Sequence, residues 1–585
     1  MKNITEILTE TVSAAFEKAG YDKALGTVGL SDRLDLCQFQ CNGAFAGAKT
    51  YRKAPFMIAD EVAGILRENP IFADVQSVKP GFINITLTDE YIVKLMNDII
   101  KEGRAGVPQT ESPRTIVIDY GGPNVAKPLH IGHLRSAIIG ESVKRLARAV
   151  GHKVISDVHL GDWGLQMGLV IAELSERMPD EKCFSEDFDP ERDSVPTLTA
   201  DLLGEVYPFA SAKSKTDEAF SEKAHTATYE MQQGRPGYAA LLKEILRVSI
   251  ADLKANYEKL GVDFDYWYGE SSSAPYIPQL MDILEKKGLS YESEGAIVVN
   301  VSREDDKAPV PPVIVRKSDK SSVYATTDLA TIIQRQQDFA PDEIVYVVDN
   351  RQEMHMTQVF RCTRLAGLLP ETTKLTFLGF GTINGADGKP YKTRDGGVMR
   401  LSELIKTVTD VSLERLEGSE KVEEAVREEY AGKLSMAAIK FGDLINHRSK
   451  DYIFDPEKFL SAEGKTGIYL LYTVSRINSV LKKAGETSCK CEIKGIYTKA
   501  DREVALKLIT AGEAYTGAMK EYAPNILCEN AYQTAAAYSG FYHENRILDE
   551  PDPEKRESWL ALSAMVRTVL TEQLRILGIE TVENM

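Results

Sequence analysis

Cysteine is sparse and poorly spaced in this chain. Seven occur in 585 residues. Cys489 and Cys491 flank a single lysine, too close for a metal knuckle, and Cys37 and Cys41 have no second pair, so zinc-site spacing is excluded. Reduced structural thiols in a cytoplasmic protein are the expectation. No apolar stretch is long enough to span a bilayer, which excludes an integral membrane role. The opening Met1-Lys2-Asn3-Ile4-Thr5-Glu6 lacks a basic-then-apolar export pattern and reads as a helix start. No internal repeat or low-complexity tract is present. Positive charge is short as well. Lys and Arg number 70 against 87 Asp and Glu, a net charge of −17, which excludes non-specific polyanion binding by the whole surface. Local basic tracks remain at Lys49, Arg52 and Lys53, at Arg135, Lys144, Arg145 and Arg148, and at His447, Arg448 and Lys450. Each also reads as a solvated helix face.

What is present is 43% hydrophobic composition, enough for several cores, over a length that suggests roughly four domains. The strongest local signal is His130-Ile131-Gly132-His133, approached by Pro123-Asn124-Val125-Ala126-Lys127-Pro128-Leu129. Upstream, Thr115-Ile116-Val117-Ile118-Asp119-Tyr120 reads as a short buried strand. Downstream, Ile138, Ile139, Val143, Leu146 and Val150 give a helical period from Leu134 to Val150. The histidines therefore sit at a strand-to-helix junction, where helix N–H groups favour phosphate and two donors can hold an α-phosphate as its charge grows. The bland reading is two capping histidines with a turn glycine. Strand, Pro-Asn approach, Lys127 and basic helix together favour the nucleotide reading.

Residues 1–108 form a first, α+β unit, with alternation over Gly81-Phe82-Ile83-Asn84-Ile85-Thr86-Leu87; 102–114 reads as its linker. An α/β unit follows over 109–400, interrupted by a charged helical insertion at about 173–256. Strand-like runs return at 296–301, 313–315, 343–348 and 374–379. Strands alternating with helices indicate a parallel, doubly wound Rossmann-like sheet. Ligands in such sheets bind beyond the strand C-termini, where Asp119, Asp349 and Gln352 fall. A helical connector spans 401–455 and an all-α unit 456–585, with helices beginning near Leu470 and over 503–520, 531–544 and 559–577. A second phosphate element is the loop Gly388-Lys389-Pro390-Tyr391-Lys392-Thr393-Arg394-Asp395-Gly396-Gly397, which could close over a triphosphate or be an exposed turn.

Together these elements resemble the arginyl-tRNA synthetase family of class I aminoacyl-tRNA synthetases, over nearly the whole chain. Pro123 to His133 is similar to the family's extended HIGH motif. Leu160 to Gly168, Gly261 to Asp265 with Gly269-Glu270-Ser271, and Tyr324-Ala325-Thr326-Thr327-Asp328 resemble its later blocks. Gln40-Cys41-Asn42-Gly43 and Lys79 to Asn84 resemble its N-terminal tRNA-contacting domain. Gly464-Lys465-Thr466 with Tyr469, Tyr472, Arg476 and Ile477 resembles its all-α anticodon-binding domain. Leu577-Gly578-Ile579-Glu580 and Met585 also fit. One departure stands out: Thr393 falls where the second lysine of a KMSKS loop belongs, and the family's replacement cation is thought to be Lys127, with Lys389 and Lys392 nearby.

The resemblance implies a HUP-type catalytic core that makes arginyl-adenylate from L-arginine and ATP and passes arginine to the 3′ end of tRNA-Arg. Positioning and charge stabilisation would do most of this work. On that reading Pro123, His130, Gly132, His133 and Thr393 hold ATP, with His130 and His133 on its α-phosphate. Lys127, Lys389 and Lys392 face the triphosphate, and Mg²⁺ arrives mainly through the nucleotide, with no protein metal site. A guanidinium is met best by carboxylates, here Asp119 and Asp328, with Tyr324 and Gln352 completing the pocket and Asn124 orienting the substrate's carboxylate or amine. Lysine would leave acceptors buried and unpaired, so no proofreading site is expected. Tyr469, Tyr472 and Arg476 are candidates for stacking anticodon bases, although Tyr472 equally suits a core stripe. A monomer is expected. The rivals are another class I synthetase, for glutamate, glutamine or cysteine, a small-molecule nucleotidyltransferase, and a non-catalytic RNA-binding paralogue. An acidic pocket argues against glutamate, the absence of zinc spacing against cysteine, the large helical tail against a small-molecule enzyme, and the intact histidines against the paralogue.

Overall fold

The computed structural model describes residues 2–585 apart from 34, 319–320, 386, 390, 392–398, 418–421 and 486–491. Lys392 and Thr393, most of the basic loop, and Cys489 and Cys491 therefore lie outside the described residues. The five described cysteines, Cys37, Cys41, Cys183, Cys362 and Cys528, are buried free thiols.

The N-terminal unit is α+β. Strands β1 (Val28–Leu30), β2 (Phe39–Cys41), β3 (Phe72–Val78) and β4 (Phe82–Leu87) form an antiparallel sheet in the order β1-β2-β4-β3. Helices Ile4–Lys18 and Pro55–Leu66 bury Leu8, Val12, Ile58 and Val62 within the same core as Ile83 and Ile85.

The middle of the chain supplies β5 (Thr115–Asp119), β6 (Lys153–Asp157), β7 (Ser290–Ser293), β8 (Ala296–Val299), β9 (Val313–Arg316), β10 (Glu343–Asp349) and β11 (Lys374–Phe380). Four of these make one parallel sheet in the order β11-β10-β5-β6. Single parallel bridges from Asp157 to Tyr266 and from Leu160 to Gly269 extend it past β6. Chain order reverses between β5 and β10, so their C-terminal ends open a crevice at the switch point. Two helices border that crevice. Ile131–Ala149 follows β5 and is buried along most of its length, and Tyr324–Phe339 leads into β10.

Two expectations need correction. The runs at 296–301 and 313–315 do not join the parallel sheet; β7, β8 and β9 form a separate antiparallel one. The cause is local. Glu294 and Gly295 both have positive φ (50° and 78°), the two-residue hairpin turn that pairs Ser293 with Ala296. The strand that completes the parallel sheet is β6, too short and too polar at its ends to stand out in sequence. The basic track on Ile131–Ala149 is only in part a solvated face: Arg148 is exposed, but Arg135 and Lys144 are each 1% exposed. Lys144 is ion-paired with Glu141 at 2.8 Å and with Asp263.

The insertion is helical, as read, in Leu165–Arg177, Ala200–Lys213, Glu218–Gln232 and Pro236–Lys259. From Leu401 on, the longer elements are all helices, ending in Pro553–Ile576. The expected 503–520 helix is two, Lys499–Ile509 and Ala511–Glu521, broken at Thr510. No helix of the described residues is long and apolar enough to cross a membrane.

Candidate active site

β5 delivers Asp119 to the crevice, and the chain then turns through Gly121 and Gly122 before reaching His130. The Tyr120 ring packs directly on the next helix. A Cβ on Gly140 would lie 2.2 Å from that ring, so only glycine permits this approach.

His130 caps the helix. It has extended backbone (φ −126°, ψ 170°), and its Nδ1 accepts from Gly132 N–H at 3.1 Å. His133 answers from the first turn, its Nδ1 accepting from His130 N–H at 3.0 Å. The pair is a capping box built from imidazoles. The ring centroids lie 3.9 Å apart. A Cβ on Gly132 would stand 2.9 Å from the His130 ring, which explains the intervening glycine.

The cap thus coexists with the ligand role instead of competing with it. Each Nδ1 is spent on a backbone N–H and must be unprotonated, so each neutral ring carries its proton on Nε2. Burial, then the Lys127 charge, brings His130 down to about 4. Burial, the neighbouring His130 and Lys127 bring His133 down to about 3. At neutral pH both are uncharged donors. Both rings, with Asp119, Gly132 and Gln352, line a cavity of about 360 Å³ at the C-terminal ends of β5, β10 and β11.

Asp119 differs from its expected role. Arg335, absent from the sequence reading, lies fully buried on the Tyr324–Phe339 helix. Its Nη2 donates to Asp119 Oδ2 at 2.7 Å and to Asp157 Oδ2 at 2.8 Å. Burial raises the Asp119 carboxyl while Arg335 pulls against it. A carboxylate already holding an internal guanidinium has less to offer a substrate's. No periodicity singles out Arg335; the signal would have been a charged residue inside an otherwise buried helical face.

A second acidic cluster lies where β6 leads into the Leu160–Gly168 segment. Glu270, 7% exposed, is pushed up to about 8 by burial, then by the charges of Asp328 and Asp162. Asp328 Oδ2 meets His355 Nε2 at 2.5 Å, and that carboxylate raises the imidazole, favouring its charged form. Tyr324 donates from its hydroxyl to Gln166 Oε1 at 3.3 Å and keeps 56% of its surface exposed. Tyr324 and Asp328 are not in the wall of the histidine cavity; they belong to this neighbouring cluster. Nothing local in the sequence marks the Glu270 carboxyl as buried among other acids, although Gly269-Glu270-Ser271 resembles a family block.

The remaining candidates scatter. Asn124 bridges in parallel to Gly161, and Val125 N–H donates to Gly161 O at 3.0 Å, stitching the Pro123-Asn124 approach to the Leu160–Gly168 segment. Lys127 acts on both imidazoles through its charge. Lys389 is exposed, its N–H donating to Asp387 Oδ1 at 3.1 Å. In the C-terminal helices Tyr472 is 39% exposed, which rules out the core reading, and Arg476 sits 5.3 Å over the Tyr542 ring. Tyr469 is half-buried, its hydroxyl 3.0 Å from Ser539 Oγ.

A family model described as the catalytic domain of class I tRNA synthetases (R) matches residues 95–456. A DALR anticodon binding domain matches 470–585, and an arginyl tRNA synthetase N terminal domain matches 2–87. The chain is 48% identical to an arginine–tRNA ligase of Agathobacter rectalis, with 100% of each covered. It is 47% identical to one of Alkaliphilus oremlandii, over 99% of this chain and 100% of the relative. Among solved structures, arginyl-tRNA synthetases of Plasmodium falciparum (22% identity, TM-score 0.80) and Thermus thermophilus (21%, 0.79) are covered in full and cover this chain in full, a likeness of fold.

Proposed function

This chain belongs to the arginyl-tRNA synthetases of class I, and from that premise we propose how its crevice carries out the reaction. The enzyme is an arginine–tRNA ligase, with arginine, ATP and tRNA as its partners. The observation that carries the reading is the reciprocal histidine cap, which leaves two neutral Nε2–H donors on one cavity wall.

Arginine's carboxylate attacks the α-phosphorus of ATP, the bond to the β-phosphate oxygen breaks, and pyrophosphate leaves. His130 and His133 donate to the α-phosphate oxygens as charge builds there, with Gly132 and Pro123 against the nucleotide. Neutral donors suit this role, because they meet the developing charge without holding the ground state as tightly as imidazolium ions would. Lys127 and Lys389 supply cationic charge toward the leaving phosphates. Lys392 and Thr393 are assigned beside them on sequence alone. Mg²⁺ would be held mainly through the nucleotide's own phosphates, neutralising their charge.

The substrate's orientation follows from its chemistry. Its carboxylate must face the α-phosphate, which puts its ammonium in the same cavity, beside Asp119, with Asn124 and Gln352 as neutral partners. Its guanidinium then extends to the second cluster, where Asp328, Glu270 and Tyr324 offer acceptors. A site built from these acceptors rejects a side chain lacking the guanidinium fork.

We assign residues 1–108 and 456–585 to tRNA contact, with Tyr469, Tyr472 and Arg476 stacking anticodon bases, 109–400 to catalysis and 401–455 to the stem. The enzyme acts as a cytoplasmic monomer on this reading, since one chain carries both RNA-contacting ends. The test is exchange of pyrophosphate into ATP across all amino acids, with and without tRNA. Exchange with arginine alone, and only when tRNA is present, is expected. Exchange driven by glutamate, or by no amino acid, would overturn the assignment.

A further inference from the structure

Outside the active site, a cavity of about 570 Å³ lies where three parts of the chain meet. One wall is the 103–107 segment, another is the last turn of the Ile131–Ala149 helix, and the third is the Pro553–Ile576 helix. Its charged lining is Arg104, Arg148, Arg567 and Arg575 against a single Glu572. This bias is unusual in a chain whose net charge is −17.

The four guanidiniums are unequally engaged. Arg575 is held by Glu572 at 2.6 Å, and Arg148 by Asp265 at 2.6 Å. Arg104 donates through Nη2 to the helix-end carbonyl of Ala149 at 2.7 Å, and Arg567 through Nη1 to Asn478 Oδ1 at 3.4 Å. Among the described residues neither Arg104 nor Arg567 is within ion-pairing distance of a carboxylate. Arg104 and Arg567 therefore bring guanidinium charge that no carboxylate offsets to a shared space, with Thr571 on the same wall. Capping the C-terminal carbonyls of Ile131–Ala149 accounts for one arginine or two. It does not account for Arg567, which comes from another helix and holds no helix-end carbonyl.

We propose that this cavity is a binding site for a small oligophosphate, distinct from the ATP crevice. Every cation in its wall is arginine, the side chain whose planar fork matches phosphate oxygens. The volume falls in the range of a small-molecule site and not of an RNA helix. An anion here would relieve repulsion among the guanidiniums and tie the catalytic helix that begins at His130 to the C-terminal helix. Bound ligand would thus stabilise the junction without touching the reacting atoms.

The probe is inorganic tripolyphosphate, titrated calorimetrically into the full chain with the crevice filled by a phosphate-free sulfamoyl analogue of arginyl-adenylate. One site that weakens with added salt is expected. The double variant R104Q/R567Q should lose at least about tenfold in affinity, since two charge-assisted donor sets are removed. If the double variant does not fold, R104Q and R567Q singly provide the same readout. Equal affinity in wild type and variants, or heat that disappears once the phosphate-free analogue fills the crevice, would overturn the proposal. So would binding of tRNA that requires these two arginines while tripolyphosphate does not bind.

Discussion

Arg135 and Asp443 form an ion pair, 3.0 Å from Nε to Oδ2, in which neither side chain is more than 1% exposed. Arg135 belongs to the helix that His130 caps, and Asp443 to the helix Arg427–Leu444. Arg135 also donates to Gly381 O at 2.8 Å and Lys450 O at 2.9 Å, and lies 5.2 Å over the Tyr452 ring. The histidine-capped helix is thereby fixed to Arg427–Leu444 by a charge pair that water does not screen. Replacing Asp443 by Asn strands the guanidinium, and a loss of about 3–5 kcal/mol is expected in urea unfolding. R135L/D443L should recover most of that loss, because it removes both charges. A double variant no more stable than D443N would show that the pair itself is not what matters.

His133 has two separable tasks. Its Nδ1 caps the helix, and its Nε2 is assigned to the α-phosphate. His133→Ala removes both, costing about 1 kcal/mol of stability for the cap and about 10²- to 10³-fold in adenylate formation for the donor. His133→Asn can restore cap hydrogen bonding without placing a donor at the same depth. Melting should therefore return toward wild type while single-turnover adenylate formation stays slow. Rates and melting temperatures that recover together would assign the histidine to structure alone.

The depressed histidines set the acid limits of the enzyme. The unfolded chain protonates these rings near the ordinary 6.5, while the folded chain keeps them neutral down to about 4 and about 3. Between those values the unfolded state binds more protons, so folding stability falls as pH drops from about 6.5 toward 4. Exchange activity, measured at pH values where the chain remains folded, should show no inflection near 6.5 from these two groups. Two-dimensional NMR of the imidazoles would locate their titrations directly, and a midpoint near 6.5 for either ring would contradict the cap geometry.

The sequence made the junction legible because its signals are local. An apolar run, a Pro-Asn approach and a helical period within about thirty residues place His130 and His133 without knowledge of the rest. The same holds for the helical insertion and the helical C-terminal end. What escaped depends on long-range pairing. Arg335 meets Asp119 across 216 positions of sequence, and nothing in either neighbourhood announces the other. The runs at 296–301 and 313–315 had the composition of buried parallel strands, and the positive-φ pair Glu294-Gly295 that turns them into a hairpin is a weak signal when the first residue is glutamate. Lys144 reads as part of a basic surface because its partners Glu141 and Asp263 include one 119 positions away, which the sequence does not bring to it.

Glu270 offers the sharpest test of how the substrate is recognised. Its carboxyl, raised to about 8 by burial and by Asp328 and Asp162, holds a proton at neutral pH in the free enzyme. A guanidinium entering the cluster supplies the positive charge that ionisation lacks, so binding should expel that proton. Calorimetry in buffers of different ionisation enthalpy should show close to one proton released per arginine at pH 7, falling toward zero above about pH 8.5. Arginine affinity should rise with pH through the same interval, because the ionised form is the one that binds. Glu270→Gln is isosteric and cannot ionise. It should abolish the proton release, flatten the pH dependence and raise the KM for arginine by about 10- to 100-fold, the range for one lost charge-assisted contact. The KM for ATP should stay unchanged, because the histidine cavity is a separate wall. Persistent proton release in the glutamine variant would move the titrating group elsewhere, and an equal rise in both KM values would mean that Glu270 supports the fold and not the guanidinium.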